Sequence, residues 1–312
     1  MKRFALIGAG GYIAPRHMRS IAETGNALAV AYDINDSVGI LDSHFPEAEF
    51  FTQFEEYDRY LAWAAQTGRG IDYVAVTSPN HLHVAHVGHG LRADADVICE
   101  KPLVLEPHEL DELVALEELT GRRVSTILQL RLHPAIAALK EQVSQATGGK
   151  HEIELTYVTS RGNWYLKSWK ADPARSGGIA TNIGVHFFDM LHHLFGATQE
   201  NVVHLAEPTR SAGYLELEQA RVRWFMSLEV ADVPRIWRDQ GQRTYRSITI
   251  DGQEVEFSGG FTDLHTRSYE EILAGRGFRL SESRAAIEMV AQIRRAIAAP
   301  GPDMHPMARA AP

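Results

Sequence analysis

Cysteine is nearly missing: Cys99 is the one instance in 312 residues. No intrachain disulfide can form, which suits a reducing compartment, and the cytoplasm is the expected location. Basic residues are in deficit, 31 Lys and Arg against 40 Asp and Glu, for a formal net charge of −9. That balance argues against a nucleic-acid backbone as the main partner, because phosphate binding is driven by clustered Lys and Arg. A small anionic ligand is still allowed, since local charge can oppose net charge. No run reaches the roughly 18 apolar residues of a membrane span, so no membrane partner is expected. The opening MKRFALIGAGGYIAPRH imitates an export signal, yet Gly8, Gly10 and Gly11 interrupt its apolar run and Arg16 and His17 follow. It reads as a buried strand entering a turn. No internal repeat is visible.

What is present suits two domains. Apolar residues make up 45% and charged residues 23%, a globular composition with enough material for sizeable cores. Short apolar runs at 4–7, 28–32, 73–77, 97–99 and 124–128 alternate with amphipathic stretches such as 14–24, 81–92 and 107–120. Strands apolar on both faces, separated by helices, predict a doubly wound parallel sheet over residues 1–130, an α/β domain of the dinucleotide-binding kind. After a helix near 134–145 the pattern changes. From residue 152 onward longer strands show period two, clearest over 214–228, with a turn near Gln219 and further strands at 247–250 and 255–257. Residues 131–312 are therefore expected to form an α+β domain with a large, mainly antiparallel sheet, closed by a helix at 282–298. A broad sheet face of this kind suggests a homo-oligomer, a dimer or a tetramer. The tail PGPDMHPMARAAP is expected to be disordered.

The first strand runs into GAGGYIA. Glycines there let the backbone turn sharply and approach a pyrophosphate at the next helix N-terminus. Ile13 stands where a GxGxxG motif has its third glycine, so the alternative is a loop one residue longer, Gly8 to Gly11, with Ala14 as the small packing residue. A glycine turn that binds nothing is the competing reading of the motif alone. Asp33 shifts the balance: it ends the second strand, 22 residues after Gly11, where a carboxylate meets ribose hydroxyls, and YDINDS offers no Arg for a 2′-phosphate. Gly8, Gly10, Gly11, Tyr12, Ile13 and Asp33 are the first cofactor-binding candidates, with NAD as the cofactor.

Two further stretches carry chemistry. The fifth strand ends in Glu100-Lys101-Pro102, at the carboxyl edge where ligands of open α/β sheets sit. In TNIGVHFFD, helical spacing of 100° per residue puts Asn182, His186, Asp189 and His193 on one stripe beside an apolar one. For Asp189 and His193 a solvated face or a supporting role is favoured. The loop TSPNHLHVAHVGH holds four histidines, but His83, His86 and His89 drift around the helix and no cysteine or carboxylate completes a closed site, so no metal is expected.

Together GAGGYIA, TSPNHLH, EKP and the Gly-x-His of 184–186 resemble the Gfo/Idh/MocA oxidoreductase family over nearly the whole chain. The resemblance implies that Lys101 and His186 flank a hydroxyl being oxidised, either one serving as the base. It also implies that Ser78, Asn80, His83, Glu100, Lys101 and Gln129 face the cofactor. Asn182 replaces the family's usual aspartate and can orient substrate but not take a proton.

The stretches YDINDSVGILDS, SRGNWYLKSWK, GYLELEQARVRWF and GFTDLHTRSYEEILAGRG look like the UDP-N-acetylglucosaminuronate 3-dehydrogenases of the WlbA/WbpB type. That implies oxidation of a sugar C3 hydroxyl by NAD for O-antigen, a lipopolysaccharide component. 2-Oxoglutarate regenerates NAD in some members. The residues agree: Arg161, Lys167, Lys170 and Arg175 against Asp172 leave a local +3, suited to a diphosphate and a carboxylate. Arg131, Arg161, Asn163, Tyr165, Lys167, Ser168 and Thr181, with Lys101, Asn182 and His186, are the substrate-binding candidates. Other sugar, inositol or sugar-nucleotide dehydrogenases of the superfamily, or a non-catalytic NAD(H) sensor, are the alternatives, and the sensor has no need of both Lys101 and His186.

Asp33 predicts a preference for NAD over NADP, because the carboxylate repels a 2′-phosphate. Calorimetric titration should show tighter NAD binding by the native chain and a narrowed gap in Asp33→Ala; equal affinities in the native chain refute the assignment.

Overall fold

The computed structural model describes residues 1–145, 148–255 and 263–309. The chain divides into two compact units, Met1–Gln129 with Thr262–Arg284, and Leu130–Phe261 with Ala285–Pro312.

The first unit alternates β1 (Arg3–Ile7), α1 (Ala14–Glu23), β2 (Ala27–Tyr32), α2 (Ile40–His44), β3 (Glu49–Phe51), α3 (Phe54–Gln66), β4 (Tyr73–Val76), α4 (His83–Arg92), β5 (Asp96–Cys99), α5 (Pro107–Thr120) and β6 (Val124–Thr126). All six strands are parallel, in the order β3-β2-β1-β4-β5-β6. The order reverses between β1 and β4, the switch point at whose carboxyl edge such sheets bind ligands. The central strands are apolar on both faces because helices cover both: Phe4, Leu6, Val74, Val76, Val97 and Ile98 are all buried. β3 is a three-residue edge strand, too short to leave a periodic signal.

The second unit comprises α6 (Pro134–Gln145), β7 (His151–Thr159), α7 (Asn163–Lys167), α8 (Pro173–Ser176), α9 (Val185–Phe195), β8 (Thr198–Ala206), β9 (Arg210–Leu217), β10 (Ala220–Ser227), α10 (Arg235–Arg238), β11 (Thr244–Ile250) and β12 (Gln253–Glu254). Its sheet runs β12-β11-β7-β10-β9-β8. All pairs are antiparallel except β7–β10, which is parallel because α7 to α9 intervene between β7 and the β8–β10 meander. The expected turn at Gln219 joins β9 to β10. Of the strand expected at 255–257, residues 256–257 lie outside the described residues; β12 spans Gln253–Glu254, and the Val255 amide donates to the Ile248 carbonyl.

Two corrections concern the end of the chain. The helix α11 (Leu264–Leu273) belongs to the first unit, not to the second domain expected over 131–312. Its buried Tyr269 and Ile272 join the core made by Phe4, Leu6 and Met18, because one face of α11 is as apolar as the helices around it. After α12 (Leu280–Arg295), the tail expected to be disordered is ordered through Arg309, with a helical turn α13 (Pro306–Arg309). The cause is a small apolar set. Met304, Met307 and Ala308 pack with Val158, Ala212 and Phe225 on the sheet face opposite to the one covered by α6, α9 and α12. The His305 ring stacks on Phe225 at 5.8 Å, with its Nε2 3.1 Å from the Thr156 hydroxyl. Elsewhere that face is a ladder of charges, with Glu152 and Glu154 paired to Arg221 and Arg223. Among the described residues no helix is long and apolar enough to cross a membrane.

Burial pushes His305 down to about 4, from an ordinary 6.5. A depressed folded value means that the folded chain prefers the neutral ring. The stabilisation is whole above pH 6.5 and is lost as pH falls from 6.5 toward 4, up to about 3 kcal/mol for such a shift. Urea titrations should show this loss in the native chain, with a shallower slope in His305→Gln; an unchanged slope refutes the packing role of the tail histidine.

Candidate active site

At the β1–α1 turn Gly8 has φ +95, and a Cβ there would lie 2.7 Å from the Ser78 nitrogen and the Thr77 carbonyl carbon. Gly10 lies over Asp33: its amide donates to Asp33 Oδ2 at 2.9 Å, and a Cβ would meet that carboxylate at 3.2 Å. Asp33 Oδ1 accepts from the Asn35 amide at 2.9 Å. The loop thus keeps its backbone bare beside a helix N-terminus, with an acidic group at the end of β2. These features fit a dinucleotide: the pyrophosphate against the loop, the ribose against Asp33. Ile13 is the residue before α1 and Ala14 is its buried first residue, as the longer-loop alignment expects. Tyr12 is 85% exposed.

The loop after β4 packs inward. Ser78 is buried and its hydroxyl lies 2.8 Å from His86 Nδ1, while Asn80 is buried in a single turn. His83 departs from its assigned place at the cofactor's ribose. It is 1% exposed, with Nδ1 2.7 Å from the Pro102 carbonyl oxygen and Nε2 2.8 Å from that of Ser78. His86 stacks on Phe54, and burial lowers it to about 4. His89 meets Phe54 edge-on. Two carbonyl oxygens hold His83, the Ser78 hydroxyl and the Phe54 ring meet His86, and Phe54 packs on His89.

Glu100 also departs from its cofactor assignment. Its side chain turns into the core, where Oε1 accepts from His17 Nε2 at 2.9 Å and from His265 Nε2 at 3.0 Å. Oε2 lies 3.2 Å from the Lys101 amide. His17 Nδ1 stands 2.7 Å from the Tyr269 hydroxyl. Burial alone would raise Glu100, but the two imidazoles hold it well below the usual carboxylate range. The ligand atoms of His17, Glu100 and His265 lie within 4.8 Å of one another; hydrogen bonding accounts for that spacing, since each Nε2 faces the carboxylate as a donor. Sequence reasoning passed over His17, His265 and Tyr269. The available signal was placement: His17 shares the apolar stripe of Ala14, Met18 and Ile21, and His265 and Tyr269 share that of Leu264 and Ile272. Lys101 itself is half-buried, next to the buried Pro102.

In the second unit residues Ala180–Gly184 form a π-helical turn that passes into α9. Such wide turns are rare and concentrate at functional sites. Uniform 100° spacing therefore does not hold across Asn182. The Asn182 amide donates to the Tyr165 hydroxyl at 2.9 Å, which brings two substrate-binding candidates together. Thr181 is fully buried, its hydroxyl accepting from Arg294 at 3.0 Å. His186 is half-buried on α9. Of the two readings of Asp189, a solvated face or a supporting role, the second applies: it is buried and takes a two-pronged pair from Arg131, Nε to Oδ2 at 3.0 Å and Nη2 to Oδ1 at 2.7 Å. Arg131, offered as a substrate ligand, is thus committed to anchoring the helix that carries His186, and the pair lies within one unit. Gln129 opens the same turn, Gln129–Leu132.

Arg161, Asn163, Lys167 and Arg175 are exposed, and Ser168 bonds the Tyr165 carbonyl. Lys170 lies 4.2 Å over the Trp169 ring and Asp172 caps α8, so the exposed charge of this segment is mostly positive.

Removing one partner of a buried ion pair typically costs about 3–5 kcal/mol, whereas apolar replacement of both costs far less. Urea unfolding of Asp189→Ala and Arg131→Ala should show losses of that size, and Arg131→Met/Asp189→Leu a clearly smaller one; single losses near zero refute the anchoring role.

Two family models match. Residues 2–128 match the oxidoreductase family's NAD-binding Rossmann fold and 149–234 its C-terminal alpha/beta domain. The WlbA (WbpB) dehydrogenase from Thermus thermophilus, solved with NAD and alpha-ketoglutarate, is 54% identical, with TM-score 0.95 over 98% of this chain and 99% of that one. The same enzyme solved with NAD and UDP-GlcNAcA is 53% identical, with the same TM-score and coverage. The D-glucoside 3-dehydrogenase of Escherichia coli is 28% identical over 205 residues, 62% of this chain and 54% of that protein. The chain spans 37% to 58% of the length of three curated relatives it matches, this one among them. The chain belongs to the Gfo/Idh/MocA oxidoreductase family.

Proposed function

We propose that the chain oxidises the C3 hydroxyl of UDP-N-acetylglucosaminuronate to the 3-keto sugar nucleotide with NAD, and that 2-oxoglutarate takes the hydride back. The observation that carries this reading is the near-full-length likeness to the Thermus thermophilus enzyme, solved with each of these ligands. NAD supplies the hydride acceptor. The residues of the chain do the rest. Gly8, Gly10 and Gly11 admit the pyrophosphate, and Asp33 takes the ribose hydroxyls. Lys101 and His186 act on the hydroxyl: one holds developing negative charge on its oxygen while the other takes its proton. Imidazole, with an ordinary pKa of about 6.5, suits proton transfer near neutrality. Asn182, bonded to Tyr165, orients the sugar. The exposed cations Arg161, Lys167 and Arg175 meet the diphosphate and the hexuronate carboxylate as charge-assisted donors. In the wider reading the enzyme works in the cytoplasm as a homotetramer joined through the second sheet, in O-antigen synthesis.

Lys101→Ala and His186→Asn should stay folded and bind NAD, with turnover reduced about a hundredfold or more. Near-native turnover in either variant removes that residue from the mechanism. UDP-N-acetylglucosaminuronate should outperform UDP-N-acetylglucosamine, and Lys167→Ala should weaken its binding about tenfold, the loss of one charge-assisted bond. Equal oxidation of UDP-N-acetylglucosamine, whose sugar lacks the carboxylate, refutes the hexuronate assignment; faster oxidation of free sugars or inositol favours the broader superfamily alternative.

A further inference from the structure

Glu100, Lys101 and Pro102 are held at both ends by imidazoles. On one side the Glu100 carboxylate takes His17 and His265, at 2.9 and 3.0 Å. On the other, His83 Nδ1 stands 2.7 Å from the Pro102 carbonyl oxygen. These rings come from three helices, α1, α11 and α4, and each is at most 4% exposed.

The proton inventory of the cluster closes. A carboxylate only accepts, so both Nε2 atoms facing Glu100 carry hydrogen. A neutral His17 then has a bare Nδ1, which takes the Tyr269 hydroxyl as donor at 2.7 Å. Burial favours the neutral His17 ring and the intact Tyr269 phenol, in line with this assignment. Each of these donors meets an acceptor. A buried network satisfied in this way is rigid, since any displacement leaves a polar group unpaired.

We propose that His17, His265 and His83 are positioning residues for Lys101: they pin the backbone on either side of it, and so set where its ammonium stands. The inference rests on the reading of Lys101 as a group that acts on the reacting hydroxyl. It also gives α11 a role. That helix follows the second sheet in sequence, yet its His265 and Tyr269 complete the support under a residue of the first unit. The His265 bond to Glu100 touches neither the glycine turn nor Asp33, so weakening it should reach turnover and spare NAD binding.

The test is a double-mutant cycle on the full chain with NAD and UDP-N-acetylglucosaminuronate, with folding checked by circular dichroism. His265→Leu should lower kcat about tenfold, the scale of a small misplacement of a catalytic group, and leave KM for NAD within about twofold. His265→Gln offers an amide N–H in place of Nε2–H and should recover most of that loss. In the Lys101→Ala background His265→Leu should have little further effect on kcat, since the group it positions is gone. Hydrogen exchange at the amides of Lys101 and Leu103 should quicken in His265→Leu and return toward native in His265→Gln. A full further loss in the Lys101→Ala background, or native kcat and exchange in folded His265→Leu, overturns the inference. If His265→Leu does not fold, Tyr269→Phe replaces it with the same outcomes at smaller size. Native turnover in Lys101→Ala alone refutes the mechanism assigned to Lys101, while the exchange measurement still decides whether the histidines hold this segment.

Discussion

A carboxylate buried under a sheet edge must be neutralised, protonated or surrounded by donors. Glu100 is surrounded, and much of the first unit follows from that. His17 has to stand on the inner face of α1, directly behind the glycine turn. His265 and Tyr269 have to arrive from more than 160 residues further along the chain. The return of α11 to the first unit is thus required chemically as well as by packing, for without it one donor to Glu100 and the Tyr269 hydroxyl are absent.

The second unit solves a related problem with a different pair. α9 carries His186, and packing alone does little to fix the rotation of a helix about its axis. The buried Arg131–Asp189 pair does so, because its two parallel hydrogen bonds tolerate little rotation. The π turn just before α9 widens the backbone where Thr181 is tied to Arg294 and Asn182 to Tyr165. A buried Arg–Asp anchor and a wide turn thereby frame one half-buried histidine.

The two faces of the second sheet differ for an equally simple reason. Val222, Trp224 and Met226 alternate along β10 with Arg221, Arg223 and Phe225, so one face is core and the other is mixed. Where the mixed face is apolar, at Phe225 and Val158, the C-terminal tail covers it; where it is charged, cross-strand ion pairs line it. Such pairs in exposed positions add little stability.

Local pattern was sufficient for the parallel sheet, the change to period-two strands, the glycine turn with Asp33, the end of β5 just before Lys101 and the helix that carries His186, since each depends on residues close together in the chain. The destinations of α11 and the tail were not legible, because an apolar stripe states that a helix is buried and not against what. Nor were the partners of polar residues. Glu100, His83 and Arg131 carried the right chemistry for a ligand, and only the tertiary structure turned them inward, toward His17 and His265, the Pro102 carbonyl and Asp189. A buried polar side chain is satisfied by whatever folding brings within about 3 Å, and no spacing along the chain encodes that neighbour.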